Sequence, residues 1–144
     1  MIESGSDTGG QFASLVKQLR RAGLRPTRQR LALASLLFEG DNRHVCAENL
    51  FDDAQAGNIR VSLATVYNSL HQFTEAGLLR EVTVAPGRSY FDTNITDHHH
   101  FYHEDDGSLV DIPDDDVIST HLPVPPEGTK ITGVDIVVRI ESKK

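Results

Sequence analysis

The chain has 144 residues, 38% hydrophobic and 24% charged, enough for one domain or two small ones with a real core. No apolar run approaches the ~20 residues that span a bilayer, and the single cysteine, Cys46, excludes an internal disulfide and a multi-cysteine zinc site. A net charge of −7 argues against nucleic acid when taken whole, but residues 1–88 hold 10 Lys and Arg against 9 Asp and Glu, while residues 89–144 hold 4 against 12. Residues 12–38 carry six basic side chains (Lys17, Arg20, Arg21, Arg25, Arg28, Arg30) and no acid. A local patch outweighs global charge when the partner is phosphate.

The opening MIESGSDTGGQ is polar and small and lacks the basic and apolar regions of a signal peptide. We read residues 1–10 as a disordered arm of a cytoplasmic protein. Residues 11–22 place Phe12, Leu15, Val16 and Leu19 at helical spacing, and Gly23 ends the helix. Thr27 is suited to cap a second helix with Leu33, Leu36 and Leu37 on one face. A third, CAENLFDDAQAG, turns Ala47, Leu50, Phe51 and Ala54 inward and stops at Gly57.

Residues 62–77, SLATVYNSLHQFTEAG, form the clearest helix. Ser62 caps it, Leu63, Val66, Tyr67, Leu70 and Phe73 line one face, and Gly77 closes it. The opposite face carries Thr65, Asn68, Ser69 and Gln72. A solvated face would carry Lys and Glu, whereas short uncharged donors and acceptors suit base edges in a groove. Two β-like runs follow, 78–84 and 88–93, around the Pro86-Gly87 turn. Helices followed by such a hairpin make a winged helix, and Arg80 and Arg88 of the wing are placed for phosphates.

A second unit begins near His98. HHHFYH and SLVDIP are short strands joined by EDDG, residues 114–121 suggest a short helix, PVPPEG is a rigid linker, and residues 130–140 alternate as a strand that adds to the hairpin. So small a unit needs a second copy to complete its core, and recognition of DNA half-sites also wants a dimer. The expected fold class is α+β: an N-terminal winged-helix DNA-binding domain over residues 11–94 and a small α/β dimerisation domain over 97–144.

The stretch DHHHFYHEDDG, residues 97–107, holds four histidines and four carboxylates. If position 103 faces 108 in the hairpin, His100 faces Asp111, and His98, His100 and Asp111 share one face while Phe101, Val110 and Ile112 share the other. A bulge at Gly107 would shift this register by one. Two imidazoles and a carboxylate on one face suit Zn, Fe(II) or Mn. Imidazole also ligates haem iron, and His98, His99 and His100 all qualify. His71 and His121 read as structural or solvated, and the His44–Cys46 pair is a weak metal signal.

The segments AGLRPTRQRLALASLL, HVCAENLF and above all VSLATVYNSLHQFTEAGLL resemble the DNA-binding half of the ferric uptake regulator superfamily. HHHFYHEDDGSLVDI sits where that family has a His-rich hairpin. Three adjacent histidines without cysteine pairs make the chain most similar to the iron response regulator branch. The resemblance implies that Arg25 reaches a minor groove, that Tyr67 is the recognition-helix tyrosine, and that Asn68 stands where an arginine usually contacts DNA. It implies one metal site from His44, His98, His100 and Asp111, with Asp92 in place of a glutamate. His103 and Asp106 occupy the positions of a CxxC pair, so a four-cysteine structural zinc is excluded. Val134 replaces the late histidine of a second site, and His99 its usual aspartate, which leaves His99 for haem. No Cys-Pro haem motif occurs.

The expected function is therefore a homodimeric, or higher-oligomeric, regulator that binds double-stranded promoter DNA through Arg25, Arg30, Thr65, Tyr67, Asn68, Ser69 and Gln72. It responds to ferric haem or to iron, and the resemblance implies control of iron homeostasis and haem biosynthesis genes. The alternative is a conventional repressor activated by divalent Fe, Mn or Zn. A metal or haem carrier would explain the histidines but not residues 12–77. A hydrolase or deaminase lacks its signatures, since no HExxH, nucleophile elbow or HxE…PCxxC occurs.

Overall fold

The structure, a computed structural model, describes residues 3–96, 98–113 and 122–143. The helix expected over 114–121 lies outside the described residues. The chain divides into two compact units, Met1–Ile95 and Thr96–Lys144, and the architecture is α+β.

The first unit runs α1 (Glu3–Arg21), α2 (Arg28–Phe38), β1 (His44–Val45), α3 (Ala47–Ala56), α4 (Leu63–Glu75), β2 (Arg80–Ala85) and β3 (Arg88–Asp92). Helix α1 starts at Glu3, so the stretch expected as a disordered arm from residue 3 onward is helical. Extending an existing helix fixes one residue per added hydrogen bond, which lets weak helix formers such as Ser and Gly continue it. The expected caps are in place. The Arg30 amide donates to Thr27 Oγ1 at 3.2 Å and the Thr65 amide to Ser62 Oγ at 3.1 Å. Helix α4 ends as Gly77 turns to φ 83° and the Leu78 amide donates back to the Phe73 carbonyl at 2.9 Å.

The core of this unit packs Leu15, Leu19, Leu33, Leu37, Leu50 and Phe73 with neighbours from every helix. Strands β2 and β3 form the wing around Gly87, which has φ 71°. The two-residue β1 joins the other edge of β3, giving the order β1-β3-β2. That strand was not foreseen.

Along α4 the buried stripe is Val66, Ser69, Leu70 and Phe73. Tyr67, expected inward, is 39% exposed, and Ser69, expected outward, is 5% exposed. Both stripes have helical spacing. Packing chooses the one that places a small residue at the crowded position and leaves the tyrosine hydroxyl where it finds a partner.

The second unit holds β4 (His100–His103), β5 (Ser108–Asp111) and β6 (Val137–Ile140) in the order β5-β4-β6. Strands β4 and β5 are antiparallel with His103 opposite Ser108 and His100 opposite Asp111. This is the unbulged register, although Gly107 has φ 75°. Strand β6 adds parallel to β4, but only Val137–Ile140 of the alternating 130–140 segment pairs. The face bearing Tyr102, Leu109 and His100 is buried, while Val110 on the other face is exposed.

Candidate metal centre and nucleic-acid interface

In the second unit the hairpin register brings His98, His100 and Asp111 together. His98 Nε2 lies 3.3 Å and His100 Nε2 3.4 Å from the same oxygen, Asp111 Oδ1. The imidazole centroids are 4.4 Å apart, and one donor atom from each of the three residues lies within 4.8 Å of the other two. Both rings are buried, His100 to 1% exposure, while Asp111 reaches solvent.

The other nitrogen of His98 decides what the cluster offers. Its Nδ1 lies 2.6 Å from the Thr96 carbonyl oxygen, which only accepts, so Nδ1 carries a proton that it donates there. That leaves Nε2 as the ring nitrogen facing the Asp111 carboxylate and as the ligand atom His98 can offer an ion. Two imidazoles, one carboxylate and an outer carbonyl that fixes the tautomer make a donor set for a borderline divalent metal.

The first unit holds a second, smaller donor pair. His44 and Asp92 face each other across β1 and β3, with His44 Nε2 3.1 Å from Asp92 Oδ2. Asp92 is 1% exposed, and its Oδ1 accepts from the Asn94 amide at 2.9 Å. The backbone contact holds the carboxylate in place and leaves Oδ2 directed at the imidazole.

The three adjacent histidines do not act as a set. Strand alternation turns His99 away from His98 and His100, and its Nδ1 accepts from the Ile136 amide at 3.2 Å. The expected haem ligands His98, His99 and His100 thus split between two faces, and two of them converge on a carboxylate. His103 Nδ1 lies 3.9 and 3.8 Å from Asp105 and Asp106, beyond hydrogen bonding. Cys46 Sγ donates to Asn49 Oδ1 at 3.0 Å. His71 stacks edge-on against Phe91 at 5.6 Å, a packing role. His121 lies outside the described residues.

The expected DNA-reading residues lie on or beside α4. Thr65, Tyr67, Asn68 and Gln72 are accessible along it, and Arg25 is exposed in the loop between α1 and α2. Ser69 offers DNA the least surface of the expected set. Arg30 bridges the two segments: Nη1 donates to the Arg25 carbonyl and Nη2 to Gln72 Oε1, each at 3.0 Å. Guanidinium nitrogens only donate, so the Gln72 atom facing Arg30 is its oxygen and the amide NH2 points elsewhere.

Glu48 was missed by sequence reasoning. Its Oε2 accepts the Tyr67 hydroxyl at 2.8 Å. That hydrogen bond holds the Glu48 carboxyl below the usual carboxylate range and raises the Tyr67 hydroxyl above the usual tyrosine value. An acid in the first turn of α3 reads in sequence as a helix-dipole partner, and nothing local points nineteen residues on to Tyr67.

The comparisons with known proteins meet these features. Residues 21–139 match the model of the ferric uptake regulator family. The chain belongs to the ferric uptake regulator family. The ferric uptake regulation protein of Escherichia coli K12 is 36% identical over 100 residues, covering 69% of this chain and 68% of that protein. The peroxide-responsive repressor PerR of Staphylococcus aureus Mu50 is 33% identical over 96 residues, covering 67% and 64%. The structure of the ferric uptake regulator from Pseudomonas aeruginosa with manganese superposes with TM-score 0.68 at 27% identity, over 89% of this chain and 97% of that one. Membership in the ferric uptake regulator family agrees with the α+β architecture and places the chain among transcription regulators. No helix among the described residues is long and apolar enough to cross a membrane.

Proposed function

We propose that this chain is a cytoplasmic, homodimeric, metal-responsive transcription regulator that reads double-stranded promoter DNA through α4 and Arg25. Its signal is a divalent ion, Fe, Mn or Zn, held by His98, His100 and Asp111. The carrying observation is the meeting of two imidazole nitrogens on one Asp111 oxygen, with the His98 tautomer pinned by Thr96. Bound there, an ion would supply positive charge that neutralises the Asp111 carboxylate and organises the imidazoles, with the His98 ring oriented through Thr96. In the first unit His44 and Asp92 form a donor pair of their own, with the Asp92 carboxylate held by the Asn94 amide.

The ion acts by linkage: if its affinity differs between DNA-bound and DNA-unbound states, it shifts DNA affinity by the same factor. The finer reading, ferric haem as the signal in an iron response regulator that controls iron uptake and haem synthesis genes, rests on the sequence resemblance. The divided faces of His98, His99 and His100 favour the divalent ion. The test is binding of the metal-defined protein to a promoter duplex from an iron-regulated gene, titrated separately with Mn(II) and ferric haem. Strengthening by Mn(II) and indifference to haem support the divalent reading. Release by haem with indifference to Mn(II) supports the haem reading and sinks the divalent one.

A further inference from the structure

The readers on α4 have fixed hydrogen-bonding polarity, and one residue that sets it belongs to another helix. A tyrosine hydroxyl has one proton and two lone pairs. The Tyr67 proton is directed at Glu48 Oε2, 2.8 Å away, and an ionised carboxylate only accepts, so the direction of this bond cannot reverse. The side chain is 39% exposed, and its hydroxyl end is open to solvent.

We propose that Glu48 is a specificity-determining positioning residue: by taking the Tyr67 hydroxyl proton, it makes Tyr67 an acceptor-only reader of DNA. The inference rests on the DNA-binding reading above. An acceptor-only hydroxyl opposes phosphate oxygens and the N7, O6 and O4 base atoms. It matches an exocyclic amino group, adenine N6 or cytosine N4, in the major groove. Without Glu48 the hydroxyl rotates and donates to any of the acceptors, and the discrimination is lost.

Glu48 has two other effects that must be separated from this one. In the first turn of α3 it interacts favourably with the helix dipole, and its charge repels phosphate. Both vanish in E48Q and E48A alike. Polarity separates the two variants, because the glutamine side-chain oxygen still accepts the Tyr67 proton and alanine does not.

The experiment is selection from a randomised duplex library by the full-length protein with Mn(II), for the unaltered chain, E48Q, E48A and Y67F, each first matched for thermal unfolding. The unaltered chain and E48Q are expected to select the same amino-bearing base at one position of each half-site. E48A and Y67F are expected to lose about 10-fold of that preference, the size of one base-edge contact. Equal loss in E48Q and E48A would assign the effect to charge and overturn the proposal. Unchanged selection by E48A would also overturn it while leaving the regulator reading intact. An unaltered chain that selects no sequence would defeat the regulator reading itself, and the proposal with it.

Discussion

The Nδ1 of His98 and the carbonyl oxygen of Thr96 lie 2.6 Å apart, and this contact determines what the His-rich hairpin presents. It commits one ring nitrogen to the backbone and turns the other toward Asp111. Removing a ligand should therefore cost metal affinity without unfolding the unit. Asp111 reaches solvent, so D111N should fold normally and bind Mn(II) at least about 10-fold more weakly, the scale seen for perturbed metal sites. Chelator-competition titration measures this, and unchanged affinity would remove Asp111 from the site.

Arg30 ties the loop that carries Arg25 to Gln72 of α4. R30A should release the Gln72 amide and weaken binding to a preferred duplex by about 1–3 kcal/mol, the range for one well-made base contact. R30K, which still donates, should recover part of it. Fluorescence anisotropy at constant salt is the measurement. Equal loss for R30A on preferred and unrelated duplexes would instead mark Arg30 as a phosphate contact.

Phe73 is fully buried in the first unit and packs against Phe38 at a centroid distance of 6.1 Å. F73A should lower the stability of that unit by about 3–5 kcal/mol, the usual cost of emptying an aromatic site. Urea unfolding followed by circular dichroism checks it.

The Glu48–Tyr67 contact carries a pH signature. Glu48 is lowered by the Tyr67 hydroxyl, so its share of the contact is present above the ordinary carboxylate range and lost as pH falls through the lowered value. Tyr67 is raised by Glu48, so its share is present below the ordinary tyrosine value and lost as pH rises through the raised one. The contact therefore spans neutral pH. The ultraviolet titration difference between the unaltered chain and Y67F isolates Tyr67. In E48A its midpoint should fall to that of an ordinary tyrosine, and an unchanged midpoint would deny the hydrogen bond.

Much of this site is legible in the sequence where local chemistry decides. Ser62, Gly77 and the apolar spacing between them define α4, and the four-residue EDDG turn sets the register that opposes His100 to Asp111. What escapes reading depends on distant partners. Strand β1 has two residues and exists because His44 and Val45 pair with Asp92 and Phe91. The exchange of Tyr67 and Ser69 between faces is decided by packing between helices, and Glu48 gains its role from a residue on another helix. Residues 130–140 read as one strand, but only Val137–Ile140 pairs, over the length of β4.

The central claim is that the ion at His98, His100 and Asp111 sets DNA affinity. The direct measurement is Mn(II) titration of DNA binding by the unaltered chain and by the H98A/H100A double variant, on one promoter duplex at fixed salt. The account predicts that Mn(II) tightens binding of the unaltered chain, and that the double variant retains the metal-free affinity and does not respond. A double variant that still responds to Mn(II) as the unaltered chain does would contradict it.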